Sequence, residues 1–175
     1  RSADQSAPFM AIKRVAVIGA SGYGGLQSLR LLQGHPDFVV GFLGGERSAG
    51  KRWSELCPFL PLPDDPLVET PEPARIAERA DVALLSLPNG LASGLVPELL
   101  ERGVRVVDLS ADYRYRSLDQ WSEVYAQEAR SCKRTDSDLC SEAVYGLPEW
   151  NAPAIASARL VAAPGCFPTT SLLPL

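Results

Sequence analysis

Histidine occurs once in this sequence, at His35, and methionine once, at Met10. The four cysteines, at 57, 132, 140 and 166, form no Cys-x-x-Cys pair. That leaves no zinc-ligand spacing, and no metal site is expected. Thiols so spaced in a chain of 175 residues do not make a disulfide framework, so reduced cysteines in a cytoplasm-like compartment are expected. No apolar run approaches the ~18 residues that span a bilayer. Lys and Arg total 17 against 21 Asp and Glu, a formal charge of -4. Such a balance offers neither a basic face for nucleic acid nor a basic amphipathic helix for a membrane. The polar start, RSADQSAPF, has no apolar core of a signal peptide. Residues 1–11 are expected to be a disordered leader or tag outside the fold. If residues 1–9 are the stub of a processed leader, a plastid or other organelle stroma joins the cytoplasm as a location. Internal repeats and low-complexity tracts are absent too.

What remains is a packed domain: 46% of residues are hydrophobic and 22% charged, in a length that suits one domain or one domain and the start of another. Lys13 to Ile18 is a short β-branched run that predicts a buried strand. After the segment Gly19-Ala20-Ser21-Gly22-Tyr23-Gly24-Gly25, Leu26, Leu29, Leu31 and Leu32 keep helical spacing up to a stop at Gly34. Phe38 to Leu43 predicts a second strand, about 30 residues from the first, the length of a βαβ unit. Gly44 to Pro66, rich in glycine and proline, reads as loop, and Ala74 to Ala80 as a short helix. Asp81 to Leu87 and Val104 to Leu109 are largely apolar runs, as strands covered on both faces are. Between them Leu91 to Arg102 predicts a helix kinked at Pro97. Leu118 to Ala129 reads as an amphipathic helix, and Ser131 to Ser141 as a polar loop carrying Cys132 and Cys140 as exposed thiols. Glu142 to Asn151 reads as irregular, Ala152 to Ala158 as helix and Arg159 to Ala163 as a last strand. The alternation predicts an α/β fold: a Rossmann-type dinucleotide-binding domain with a mostly parallel sheet over residues 12–163. Residues 164–175 would then be the start of a second, α+β catalytic domain nearly absent from the chain.

Glycines between a strand and a helix let the backbone turn tightly and approach a diphosphate, whose charge the helix N-terminal amides hold. The end of the second strand chooses between cofactors: an acidic residue suits a ribose 2′-hydroxyl and arginine a 2′-phosphate. Here Glu46 and Arg47 are both available, and Ser48, Lys51 and Arg52 tip the balance towards NADP. Asn89, Ser110 and Arg114 follow two further strands, at the edge where ligands of open α/β sheets gather. Asn89 and Ser110 could hydrogen-bond a substrate or nicotinamide, and Arg114 could fork onto a carboxylate or phosphate. His35, at a helix end before a proline, suits a dipole partner better than a catalyst. Cys166 lies between Pro164-Gly165 and Pro168-Thr169-Thr170, a run that can open a helix. The free amides and dipole of a helix start favour negative charge on a thiol placed there. The alternative is a small, inert, buried hydrophobe.

Six segments occur in order: Gly19-Ala20-Ser21-Gly22-Tyr23-Gly24-Gly25, Arg47-Ser48-Ala49-Gly50-Lys51, Ser86-Leu87-Pro88-Asn89-Gly90, Asp108-Leu109-Ser110-Ala111-Asp112-Tyr113-Arg114, Ala143-Val144-Tyr145-Gly146-Leu147-Pro148-Glu149 and Pro164-Gly165-Cys166-Phe167-Pro168-Thr169. Together, over about residues 12–175, they resemble the N-acetyl-gamma-glutamyl-phosphate reductase family of arginine biosynthesis, and more distantly aspartate-semialdehyde dehydrogenase. The resemblance implies an NADPH-dependent oxidoreductase that converts N-acetyl-gamma-glutamyl phosphate to N-acetyl-glutamate semialdehyde through a cysteine thioester. It implies Cys166 as nucleophile, and Gly19, Ser21, Gly22, Tyr23 and Gly24 on the cofactor phosphates. Arg47 and Ser48 would lie near the 2′-phosphate, and Asn89 and Gly90 by the nicotinamide. Ser110 and Arg114 would contact substrate, with Glu149 in support. The partner is a small molecule, in a homo-oligomeric parent enzyme. Two departures stand out. The family's histidine-containing segment is replaced by Glu128-Ala129-Arg130-Ser131-Cys132-Lys133-Arg134, and no histidine follows His35, so the family's catalytic histidine would lie beyond Leu175. An incomplete copy is expected to bind NADPH weakly at best and to turn over negligibly, with Leu172 to Leu175 left unpacked. The other readings are an aspartate-semialdehyde dehydrogenase relative, which Tyr145 to Glu149 disfavours, and a stand-alone NADP-binding module in which Cys166 is silent.

Overall fold

The apolar run at Lys13 forms β1 (Lys13–Ile18), whose last four residues are buried. The computed structural model, which describes residues 12–129 and 134–174, continues through α1 (Tyr23–Leu32) to β2 (Phe38–Gly44). Next come α2 (Trp53–Leu56), α3 (Pro73–Arg79), β3 (Val82–Leu85), α4 (Val96–Glu101) and β4 (Arg105–Asp108). The chain ends with α5 (Leu118–Tyr125), α6 (Ser137–Glu142), β5 (Val144–Tyr145), α7 (Pro148–Ser157), β6 (Leu160–Ala162) and α8 (Cys166–Leu172). The strands make one sheet in the order β2-β1-β3-β4-β6-β5, and every pairing in it is parallel.

A parallel sheet needs cover on both faces, and β1 shows how the sequence supplies it. Side chains alternate across a strand, so Val15 and Val17 point to one face, and Ala16 and Ile18 to the other. The first face packs with Leu29 of α1, Leu43, Trp53 and Val68. The second packs with Ile76 of α3, Val96 and Leu99 of α4, Val106 and Leu160. Each fully buried aliphatic side chain of this kind contributes roughly 1.5–3 kcal/mol.

Several expectations are corrected. The 44–66 loop contains α2, where the Trp53 indole is fully buried and donates to the Leu60 carbonyl at 2.6 Å. One large apolar anchor and a four-residue helix leave no periodic trace. Leu91 to Arg102 is not one kinked helix: a 3-10 turn at Ala92–Gly94 precedes α4, and Pro97 sits in the first turn of α4, where no amide is missed. α5 stops at Tyr125 rather than Ala129. The stretch from Ser137 is helical, and Cys140 is fully buried rather than an exposed loop thiol. Cys132 lies outside the described residues, as do residues 1–11 and Leu175. Glu142 to Asn151 is not irregular: β5 pairs with β6, and α7 begins at Pro148 and departs from helical angles at Asn151 (φ -122, ψ 15), two residues before Pro153.

Candidate active site

In a parallel sheet all carboxyl ends lie on one edge. Each predicted site residue follows such an end: Gly19 to Gly24 after β1, Arg47 and Ser48 after β2, Asn89 and Gly90 after β3, Ser110 and Arg114 after β4, Glu149 after β5 and Cys166 after β6. Successive strands lie about 4.8 Å apart, so the glycine loop and Cys166 are three spacings, about 14 Å, apart along that edge. The chain runs from β1 outward to β2 on one side and crosses to β3 on the other. The gap between β1 and β3 is thus the reversal point at which open α/β sheets bind ligands.

The glycine loop is built into that gap. Gly19 has φ +79, and a Cβ there would lie 2.1 Å from the Ser86 carbonyl oxygen, so only glycine fits. A Cβ on Gly25 would meet the Gly19 carbonyl oxygen at 2.2 Å, which lets α1 start hard against the loop. Gly22 caps α1 and its own N–H is taken by the Gly19 carbonyl at 3.0 Å. The amides of Tyr23, Gly24 and Gly25 are the first-turn donors that a helix cannot satisfy internally. With the dipole behind them they suit a diphosphate, and the close-packed glycines leave room for one. The Ser21 and Ser48 hydroxyls approach to 3.5 Å, joining this loop to the one after β2. Ser48 is buried, while Arg47 and Glu46 are exposed. Of the neighbouring cations, Arg52 is engaged with the Asp65 carbonyl.

The turns after β3 and β4 are laced together. Asn89 Oδ1 accepts the Ala111 N–H at 2.9 Å. The Asp112 carboxylate, wholly buried, accepts from the amides of Gly90 (2.6 Å), Ala92 (3.0 Å) and Ser93 (3.4 Å). Ser110 is also buried; its hydroxyl donates to Asp108 at 2.8 Å and accepts the Asp112 N–H at 3.2 Å. Asp108 is fully buried at the end of β4. Burial first, then the charge of Asp112, push its carboxyl up to about 7, against the opposing bonds from Ser110 and the charge of Arg114. Arg114 donates from Nε to the Ala163 carbonyl at 2.9 Å and from Nη2 to the Leu109 carbonyl at 3.0 Å. Its Nη1 lies 3.2 Å from where a Cβ on Gly165 would sit. The guanidinium thus clamps the segment before Cys166 onto the end of β4. Cys166 itself is the first residue of α8 and is exposed, whereas Cys57 and Cys140 are buried and burial raises both their thiols. Glu149 is exposed in the first turn of α7, at the sheet's far margin.

This edge carries a helix start with free first-turn amides, a crevice at the reversal point and, among the described residues, one exposed thiol. A family model, semialdehyde dehydrogenase, NAD binding domain, matches residues 14–158. The chain belongs to the semialdehyde dehydrogenase family. Among curated proteins, the N-acetyl-gamma-glutamyl-phosphate reductase of Synechococcus sp. (strain CC9605) is 75% identical over 162 residues, 93% of this chain and 45% of that protein. The chain therefore spans a little under half the length of the curated relatives it matches. Among solved structures, aspartate semialdehyde dehydrogenase with NADP from Candida albicans aligns with 59% of this chain and 31% of its own, at 30% identity and a TM-score of 0.53. Aspartate semialdehyde dehydrogenase II from Vibrio cholerae aligns with 92% of this chain and 44% of its own; at 24% identity and a TM-score of 0.62 it attests the fold.

For this semialdehyde dehydrogenase domain, the sequence reading missed the buried ionic layer beneath the edge. Arg134 is paired with Asp136 through Nε at 3.1 Å and Nη2 at 2.9 Å, and it lies over the Trp121 and Tyr113 rings at 4.6 and 4.9 Å. It also donates to the Asp112 carbonyl and to Cys140 Sγ. Burial opposes the charge on Asp136, yet the bonds and charge of Arg134 hold its carboxyl below the usual range. The available signal was the acid pair Asp108 and Asp112 in an otherwise apolar strand end, since acids there need internal partners. A cavity of about 760 Å³ runs along the outer margin of β2 and is lined by none of the predicted site residues.

Proposed function

We propose that this chain is the cofactor-binding and nucleophile-bearing part of an N-acetyl-gamma-glutamyl-phosphate reductase that uses NADPH. The observation that carries the reading is the exposed Cys166 at the start of α8, on the edge shared with the glycine loop. The name of the 75% identical relative supports the substrate, and the NADP of the Candida albicans structure, with exposed Arg47 beside Ser48, supports the cofactor. In this reading the Cys166 thiolate attacks the acyl carbon, the carbon–oxygen bond to phosphate breaks, and phosphate leaves with the electron pair. When bound, NADPH supplies the hydride that converts the thioester to the aldehyde and returns the sulfur as thiolate. Tyr23, Gly24 and Gly25 amides hold the diphosphate, Arg47 and Ser48 the 2′-phosphate, and Asn89 and Gly90 border the ring. Ser110 acts from below by fixing the turn after β4. Arg114 aims the Cys166 segment and offers Nη1 towards the acyl phosphate, and Glu149 stands at the margin of the substrate side.

The test is to mix the protein with N-acetyl-gamma-glutamyl phosphate in the absence of cofactor and measure intact mass and released phosphate. One acyl group on Cys166 and one phosphate per chain are expected. NADPH binding with no acylation at Cys166 would instead identify a nucleotide-binding module with a silent thiol.

A further inference from the structure

The turn after β3 holds one side-chain amide in a fixed orientation. The Ala111 N–H can be answered only by an acceptor, so its 2.9 Å contact fixes the Asn89 amide with Oδ1 inward. Nδ2 then faces away from Ala111, carries no hydrogen bond among the described residues and is not among the buried polar atoms that lack a partner. Of the backbone donors nearby, Asp112 takes the amides of Gly90, Ala92 and Ser93. A buried carboxylate with three such bonds holds the turn rigidly, since releasing any one would strand it in an apolar setting. What Asn89 offers a ligand is the Nδ2 donor, since Oδ1 is turned inward to Ala111.

Strand order says which part of a ligand lies there. With a diphosphate on α1 between β1 and β3, and Arg47 and Ser48 above β2, the remaining half of a dinucleotide extends over β3 and β4 towards Cys166. We propose that Asn89 Nδ2 donates to the carbonyl oxygen of the nicotinamide carboxamide, fixing which way the ring faces. This rests on the reading of the site as a nicotinamide dinucleotide site.

The test uses three ligands: NADP+, its 3-acetylpyridine analogue, which keeps the carbonyl oxygen but has no amide hydrogens, and 2′-phospho-ADP-ribose, which has no ring. Titration calorimetry on the full chain compares wild type with Asn89→Asp and Asn89→Ala. Aspartate keeps one oxygen for Ala111 but turns the free group from donor to acceptor. The wild type is expected to bind NADP+ and the acetylpyridine analogue about equally. Asn89→Asp is expected to weaken the analogue by about tenfold relative to NADP+, because only a carboxamide can turn its NH2 towards an acceptor. Asn89→Ala is expected to leave that ratio at one while lowering both by about threefold to tenfold relative to 2′-phospho-ADP-ribose. If Asn89→Asp leaves the ratio unchanged while the ringless ligand still binds, the proposal is overturned and the cofactor reading stands. If Asn89→Asp loses the ringless ligand too, Asn89→Ala decides: unchanged affinity for NADP+ relative to that ligand overturns the proposal. If the wild type binds none of the three, the dinucleotide reading falls and the proposal with it.

Discussion

Among single residues, Asp108 has the sharpest thermodynamic consequence. An aspartate in an unfolded chain releases its proton near pH ~3.9. In the fold Asp108 keeps its proton up to about 7 because burial, seconded by Asp112, outweighs Ser110 and Arg114. The folded state therefore binds the extra proton between those values. The stability contributed by this group is fully present below about pH 4 and is lost as pH rises through about 7. Asparagine can accept the Ser110 amide, and its NH2 can donate to the Ser110 oxygen, which has a second lone pair. Asp108→Asn is thus expected to gain thermal stability over wild type as the pH is raised from about 5 to about 8. Melting curves at the two pH values measure this, and an equal offset at both would refute the buried ionisation. Cys166 illustrates what was legible at this scale: its Pro-Gly and Pro-Thr-Thr flanks predict a helix start, which α8 provides. Its exposure was not legible, because free cysteine is as often a packed hydrophobe as a surface thiol.

At the scale of elements, the contact of α1 with β1 sets the crevice. Leu29 is buried against Val15 and Val17, and Gly25 lets the helix start touch the Gly19 carbonyl. Gly25→Ala would bring a methyl to 2.2 Å from that oxygen, so α1 must shift or the loop must open. A loss of about 1–3 kcal/mol in denaturant unfolding is expected, with weaker dinucleotide binding at full folding. An unperturbed titration by cofactor would contradict the role given to the loop. β1, β2 and α1 were legible because the strands are short apolar runs and the helix keeps one period, each bounded by glycine. α6 was not, because Arg134, Asp136 and Asp138 read as a solvated run. In the fold the first two pair with each other, under the rings of Tyr113 and Trp121. Charge in a sequence marks the surface only until it finds a partner inside. β5, two residues long, is held by its pairing with β6, a tertiary effect that no local pattern carries.

For the whole molecule, the all-parallel order β2-β1-β3-β4-β6-β5 brings six scattered segments to one edge of the sheet. That convergence was legible for the segments at β1, β2, β3, β4 and β6, whose strands were legible, and not for Tyr145 to Glu149, whose strand β5 was not. The clamp of Arg114 from the end of β4 to Ala163 was not, since it joins residues 49 positions apart. The central claim is that this edge presents Cys166 as the reacting group. The most direct measurement is peptide-resolved alkylation of the folded protein with iodoacetamide, with and without N-acetyl-gamma-glutamyl phosphate. Cys166 is expected to be modified far faster than buried Cys57 and Cys140, and the acyl phosphate is expected to suppress that modification. Equal labelling of the three, or labelling of Cys166 that the acyl phosphate leaves untouched, would contradict it.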